Sequence, residues 1–384
     1  MISCRTRIAL LLLGAIILVV VLALSRTRRP VRTVPRVPTV PTIPREGAQP
    51  VMIIQNYNDE GGFFWQIYNI LNMLYAAEKY GFQPVVIFDT GLYFEKRPTF
   101  TKEIPCYDKK NWFNHFFHPL NASPKDEQAW HEYVAKHRTI KRLDVHAMQQ
   151  KKVPAVSIFD RTGLDSISQD PSRIGHFTRL FRTYIKPREH IQHKVLEFKK
   201  RNKWAGTFMI GLHFRGTDKF ASKSGSEDNP VHFKYEFCEE LVRKYLADHP
   251  GLGPVRIFVA SDEEPFISFM SEKFPGLVCA TTSIRAAVST SGLFLDTSRC
   301  DRGVRDSKEC RRYNDLIEQS IHRGMTDKSN YTKGEDVLLD VLLLSECNVF
   351  FRSRGNVSNF IGYINPACEV IDMVTEYHHN HTRV

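Results

Sequence analysis

Two stretches of the chain, near residues 51–88 and 207–260, repeat one order: apolar run, amphipathic segment, apolar run. Val51-Met-Ile-Ile-Gln55 leads into the turn-rich Asn56–Gly62. Ile67, Ile70, Leu71, Leu74, Tyr75 and Ala77 then recur at three- and four-residue spacing, so the spacing predicts a helix over 64–80. Gly81 stands where a C-cap glycine would, and Pro84–Phe88 is the next expected strand. The second stretch has Thr207–Phe214 as strand, Lys234–Ala247 as helix and Arg256–Ala260 as strand. The alternation continues through Pro265–Phe274, Gly276–Ala280, Glu335–Glu346, Asn348–Phe351 and Cys368–Met373. Parallel strands need crossover helices, so repeated β-α-β order implies parallel sheets covered on both faces. The expected class is α/β, with two Rossmann-like halves facing a cleft, residues 51–204 and 205–384. Residues 93–165 are rich in aromatics and His without a sustained period and are expected to be irregular; Pro187–Asn202 is expected to be helical.

The first fifty residues belong to a different regime. Residues 1–7 are a short basic tail, followed by seventeen uninterrupted apolar or small residues, Ile8–Leu24. A spanning helix needs about 20 residues and tolerates about 17. An uncleaved signal anchor is the expectation, because the run exceeds the usual 7–15 residues of a cleaved leader. The alternative is cleavage ahead of Arg26, with Ala23 and Ser25 at the small-residue positions. Residues 25–50 hold six prolines from Pro30 to Pro50 and read as an extended, semi-rigid stem.

Charge follows the same division. Residues 1–48 carry eight Arg against one Glu, so +7 of the net +11 lies in the leader and stem and +4 on the remainder. This argues against a nucleic-acid partner, which would want the basicity on the folded part. Nine Lys or Arg between Arg179 and Lys203 are read as a solvated helix face. Asn121, Asn330, Asn356 and Asn380 head Asn-x-Ser/Thr sequences, which carry meaning only in a secretory lumen. Seven of the eight cysteines lie beyond the stem, and none forms a CxxC metal pattern. Cys300 and Cys310 bracket a polar loop and are the disulfide candidate, with two unpaired loop cysteines as the alternative.

Three clusters carry the candidate chemistry. Gly211-Leu-His-Phe-Arg-Gly-Thr-Asp-Lys219 lies at the carboxyl end of an expected parallel strand, where ligands of open α/β sheets bind. His213 and Arg215 alternate onto one side there, and a guanidinium suits bidentate capture of phosphate. Phe258-Val-Ala-Ser-Asp-Glu-Glu264 is a strand running into carboxylates. Asp262 and Glu263 either position a sugar or orient Arg215, or else cap the helix beginning at Pro265. In Lys333–Leu344, Asp340 is the one charge in a run of eight residues otherwise all Val or Leu. Either it faces a partner, or Asp336 and Asp340 share a solvated face.

In order and spacing, His213-Phe-Arg-Gly-Thr-Asp-Lys219, Val259-Ala-Ser-Asp262, Asp340 with Leu344-Ser345, and Ser353-Arg-Gly-Asn356 resemble the three shared motifs of the α1,2-, α1,6- and protein O-fucosyltransferase superfamily. The likeness is greatest to core α1,6-fucosyltransferases and rhizobial nodulation-factor fucosyltransferases. Glu60-Gly-Gly-Phe-Phe-Trp-Gln66 similarly resembles that family's first glycine loop. The resemblance implies a GT-B architecture, GDP-fucose as donor, a glycan or glycoprotein acceptor, inversion at the anomeric carbon and no required metal or other cofactor. It implies that His213 and Arg215 hold the nucleotide and its diphosphate and that Asp340 reads guanine. Gly355, Asn356, Gly61 and Gly62 would meet the phosphates, Asp262 would support the site, and Lys219 would sit near the leaving phosphate. No Asp-x-Asp sequence occurs in the chain, which agrees with neutralisation of the diphosphate by protein cations.

The chain departs from the pattern in two places. The family position for a catalytic base holds Lys223, while the nearest carboxylates are Asp218, Glu227 and Asp228, of which Glu227 is favoured. Gly216 stands where core α1,6 enzymes have a second Arg. With the anchor and stem, the expectation is a single-pass type II Golgi membrane enzyme, the ER membrane being the alternative. Other readings keep the fold and change the sugar nucleotide or make the acceptor a protein Ser/Thr, or make the chain a catalytically inactive lumenal glycan-binding protein. Asn356 is expected to carry no glycan, since one there would fill the donor cleft.

Overall fold

The computed structural model describes residues 51–55, 62–88, 93, 111–120, 155–158, 171–216, 221–222, 234–291, 295–296, 308, 310–312, 315, 330–353 and 355–381. The anchor and stem lie outside them, as do Gly61, Asn121, Asp218, Lys219, Lys223, Glu227, Asp228 and Cys300. Among the described residues no helix is long and apolar enough to cross a membrane.

The molecule is mixed α/β and both of its larger sheets are parallel. Strands β1 (Val51–Gln55), β2 (Gln83–Ile87) and β3 (Ala155–Ile158) form the first, in the order β2-β1-β3. Helix α1 (Phe63–Tyr80) makes the crossover between β1 and β2 and buries Ile67, Ile70, Leu71, Leu74 and Ala77. It stops at Gly81, whose φ of 72° is left-handed, with the Phe82 N–H donating back to the Ala77 carbonyl at 2.8 Å. Short helix α2 (Phe113–Phe116) and helices α3 (Pro171–Tyr184) and α4 (Glu189–Arg201) follow.

The second sheet has β4 (Phe208–Phe214), β6 (Val255–Ser261), β7 (Val278–Cys279), β9 (Val349–Arg352) and β10 (Glu369–Asp372) in the order β10-β9-β4-β6-β7, with β4 at its centre. A two-stranded parallel pair joins β5 (Ala221–Ser222) to β8 (Leu295–Asp296). Helices α5 (Tyr235–Asp248), α6 (Glu264–Lys273), α7 (Asn330–Leu344), α8 (Asn356–Ile364) and α9 (Met373–His381) complete the described elements. The central strands are apolar on both sides, as a doubly covered sheet requires. Ile210, Leu212, Phe214, Ile257, Val259, Val349 and Phe351 pack with α5, α6 and α9, whereas Met209, Phe258, Ala260 and Phe350 turn to the core shared with α4 and α7.

Sequence expectation and structure agree to within a few residues on β1, β2, β4, β6, β7, β9, β10, α1, α4, α5 and α6, and α7 begins earlier, at Asn330; α3, α8, β5 and β8 lie outside the sequence expectations. Other differences concern the irregular region, the tail and the basic stretch. Residues 93–165, expected to be irregular, contain β3 and α2. The carboxyl-terminal tail is helical over Met373–His381, because Met373 and Val374 are buried and Asp372 Oδ1 accepts the N–H groups of Val374 (3.0 Å) and Thr375 (3.1 Å). The basic stretch 179–203 is partly neutralised within the molecule: Arg179 pairs with Glu78, Lys194 with Glu335 at 2.6 Å, and Lys199 with Glu346. Cys310 is disulfide-bonded, while Cys238, Cys279, Cys347 and Cys368 are free. Helix α8 packs on α1 and α3, placing Phe360 4.8 Å from Phe64 and Tyr363 5.1 Å from Phe177, ring centre to ring centre.

Candidate functional site

A cleft opens at the carboxyl edge of the second sheet, lined among others by Tyr93, His213, Arg215, Asp262, Asp336 and Asp340. Strand geometry places the first of these. In β4, His213 pairs with Ala260 of β6 on one side and Arg352 of β9 on the other, so its side chain leaves the sheet where three parallel strands end. The imidazole is buried, with Nδ1 2.8 Å from the Ser358 hydroxyl and 3.2 Å from that of Ser353. Burial, reinforced by the neighbouring Arg215 charge, pushes its pKa down to about 3, so the ring is neutral near pH 7. The tautomer sets the roles: with Nδ1 accepting from a serine hydroxyl the ring donates from Nε2, and with Nδ1 donating to a serine oxygen Nε2 is an acceptor.

Arg215 follows the strand end and is held by Asp262, with Nε 3.4 Å from Oδ2. The other oxygen, Oδ1, accepts the Gly216 N–H at 2.8 Å. One carboxylate therefore fixes both the guanidinium and the backbone turn behind it. Glu263, next in sequence, is fully buried and turned away; it accepts from the Tyr235 hydroxyl, the Thr290 hydroxyl and the Thr290 N–H. Neither carboxylate reaches back as a cap: the N-cap of α6 is Glu263, and it makes no side-chain cap bond. Of the roles expected for this doublet, the structure shows the pairing of Asp262 with Arg215.

Helix α7 supplies the opposite wall. Asp336 and Asp340, one turn apart, both line the cleft and share no solvated face; Asp340 is only 8% exposed. Asp340 Oδ1 accepts the Thr281 hydroxyl at 2.6 Å, and Asp336 Oδ2 accepts the Ile284 N–H at 2.9 Å. Burial pushes the pKa of Asp340 up to about 7 and that of Asp336 up to about 6, with the Thr281 and Ile284 hydrogen bonds and the Arg285 charge opposing it.

The structure thus brings His213, Arg215, Asp262 and Asp340 into one cleft. Gly355 is the N-cap of α8, Asn356 is its exposed first residue, and Val357 lines the cleft. Gly62 is the N-cap of α1 with an extended backbone, and the first helical N–H, that of Phe63, donates to the Tyr93 hydroxyl at 2.8 Å. Asn330 begins α7, and Asn380 lies in α9. Sequence reasoning missed Tyr93, Thr281, Ser283, Ile284 and Arg285. None stands in a periodic segment or beside a motif, so the letters carry no local signal for them. Among the described residues no three His, Cys, Asp or Glu side chains are grouped as a metal site would need.

No protein-family model matches the chain, and no curated protein matches it. Solved structures to which it is similar include NodZ alpha-1,6-fucosyltransferase co-crystallised with GDP, at 15% identity and a TM-score of 0.45 over 84% of this chain and 95% of that one. Fucosyltransferase NodZ from Bradyrhizobium is 16% identical, with a TM-score of 0.46 over 84% of this chain and 96% of that one. POFUT1 in complex with GDP is 10% identical, with a TM-score of 0.44 over 84% of this chain and 98% of that one.

Proposed function

We propose that this chain is a fucosyltransferase that moves fucose from GDP-fucose to a glycan hydroxyl, with inversion at the anomeric carbon and without a required metal. We assign it a GT-B architecture, with residues 51–204 forming the acceptor-side domain and 205–384 the GDP-sugar domain. It would act as a single-pass type II protein of the Golgi membrane, anchored by residues 8–24. The observation that carries the reading is the joining of three chemistries in one cleft: the guanidinium of Arg215, the neutral imidazole of His213 and the buried carboxyl of Asp340.

Each group has a task that its environment suits. Arg215, restrained by Asp262, meets the diphosphate as the glycosidic bond breaks and negative charge grows on the leaving phosphate. A cation fixed in advance stabilises that state more than the bound substrate. His213, kept neutral, donates from Nε2 to a phosphate or ribose oxygen, and Asp340 accepts from the N–H groups of guanine. We assign to Lys219 the neutralisation of the leaving phosphate and to Glu227 the proton of the acceptor hydroxyl; the attacking oxygen bonds to the anomeric carbon from the face opposite the departing GDP.

The test follows GDP release by the full-length protein from GDP-fucose and, separately, from other sugar nucleotides, with and without chelator. Release from GDP-fucose alone, unchanged by chelator and lowered about 100- to 1,000-fold in Arg215→Ala, is the expected result. Failure of every sugar nucleotide to release its nucleotide would leave the inactive, glycan-binding reading.

A further inference from the structure

Residues 281–291 form a strap over the end of β6 and the flank of α7. Its middle is pinned by Ala286, whose N–H donates to the Asp262 carbonyl at 2.8 Å and whose carbonyl accepts the Glu264 N–H at 2.9 Å. The far end closes on Glu263 through Thr290, whose N–H lies 3.2 Å from Oε1. The near end carries Thr281 and Ile284 to Asp340 and Asp336. Both walls of the cleft are therefore joined by one segment.

The direction of the bonds at Thr281 is tied to the protonation of Asp340. A guanidinium only donates, an ionised carboxylate only accepts, and a hydroxyl has one proton and two lone pairs. Arg285 Nη2 donates to the Thr281 carbonyl at 2.8 Å and lies 3.3 Å from its Oγ1, while Ser283 Oγ is 2.5 Å from the same oxygen. Ser283 can take either role. When it donates, Arg285 and Ser283 fill the lone pairs and the hydroxyl proton goes to an ionised Asp340; a protonated Asp340 would instead donate to Thr281, which would pass its own proton to Ser283. The Arg285 side chain is 5% exposed, so solvent screens its charge weakly; it also donates to the Ser283 carbonyl at 3.2 Å and meets Glu264 at 3.4 Å.

We infer that Thr281 and Arg285 are positioning residues of the nucleotide pocket, holding Asp340 as an acceptor with one oxygen engaged and Oδ2 left for the base, an inference that rests on the donor-site reading above. Guanine offers adjacent N–H groups to such an oxygen; a protonated carboxyl would turn its own O–H toward donors. The charged and titratable groups around Asp340 are Asp336 and Lys333 on α7, Arg285 on the strap, His213 and Arg215 from β4, and Asp262 from β6. Loss of either Thr281 or Arg285 removes a contribution that opposes the burial of the Asp340 charge.

The experiment uses the full chain and Thr281→Val, Thr281→Ser, Arg285→Gln and Arg285→Lys. The midpoint of Asp340 is read by NMR of 13C-labelled aspartate, the signal being assigned with Asp340→Asn, and GDP affinity is measured by calorimetry across the same pH range. Thr281→Val and Arg285→Gln are expected to move the midpoint upward by about one pH unit and to cost about tenfold in GDP affinity on the acid side, converging with wild type at alkaline pH. Thr281→Ser should track wild type, and Arg285→Lys should lie nearer wild type than Arg285→Gln. A midpoint unmoved in both Thr281→Val and Arg285→Gln overturns the inference. If wild type binds no GDP at any pH, the donor-site reading falls, and the NMR midpoint still decides whether the strap governs Asp340.

Discussion

A methyl group placed on Gly216 would stand 1.9 Å from Oε1 and 2.3 Å from Cδ of Glu263. Glu263 is fully buried and held by Tyr235 and Thr290, and the Thr290 hydroxyl would stand 2.8 Å from the same methyl, so a side chain at position 216 forces this group of residues to shift. Glu263 thus fills the space beside the Arg215 turn. Gly216→Ala should destabilise the protein by about 1–3 kcal/mol, as overpacking of a filled site does. Urea unfolding of a double-mutant cycle checks it: the cost of Gly216→Ala should shrink markedly in a Glu263→Ala background, and equal costs in both would refute the steric account.

The parts legible in the sequence were those specified locally. Helix α1 announces itself through apolar spacing and Gly81, and His213, Arg215 and Asp262 stand at strand ends, where α/β sheets place their ligands. Asp340 is conspicuous as a lone charge in an apolar run. Helix α8 is different. Its sequence, Asn356-Val-Ser-Asn-Phe-Ile-Gly-Tyr-Ile364, mixes Gly, Ser, Asn and β-branched residues that form helix poorly, and it is held by Phe360, Ile361 and Tyr363 buried against α1 and α3. The strap is illegible for a related reason, since Thr281 and Ile284 find their partners 59 and 52 residues away.

Arg215 and Asp262 separate charge from geometry. Arg215→Ala should lower kcat by about 100- to 1,000-fold, the usual loss when a fixed donor to developing negative charge is removed. Asp262→Asn keeps an oxygen for the Gly216 N–H and gives up the ion pair, so its loss of activity should be smaller, about tenfold, with a lowered thermal stability because the Arg215 charge loses this buried partner. GDP release and thermal unfolding together decide this. An Asp262→Asn variant as inactive as Arg215→Ala would show that Asp262 does more than orient the guanidinium.

The raised pKa of Asp340, about 7, predicts that nucleotide binding is linked to proton release. In the donor site proposed above guanine binds the ionised form, so GDP affinity should level off above about pH 7.5 and fall about tenfold per pH unit below 7. Stability of the unliganded protein runs the other way. A folded-state pKa above the unfolded value makes a contribution that is full below about pH 4 and is lost as pH rises through 7. Calorimetry at pH 6.5 in two buffers of different ionisation enthalpy should show the released proton. Identical enthalpies in both buffers, or an unchanged pH profile in Asp340→Asn, would rule out this carboxyl as the group concerned.

His213 titrates in the opposite sense. With its pKa depressed to about 3 by burial and by Arg215, the folded protein carries fewer protons here than the unfolded chain. The stability it contributes is therefore complete above about pH 6.5 and is lost as pH falls from there toward 3. Its ring signals should not titrate between pH 5.5 and 8 in an NMR spectrum. Ser358→Ala should weaken GDP binding several-fold without making the ring titrate, because burial and not the hydroxyl sets its charge, and Ser353, at 3.2 Å, remains to orient Nδ1. The same serine is the third residue of the Asn356 sequon and is spent on His213. A His213 signal with a midpoint near 6.5 would mean that the imidazole is solvated and charged, and the neutral donor assigned to the diphosphate cleft would have to be sought in another side chain.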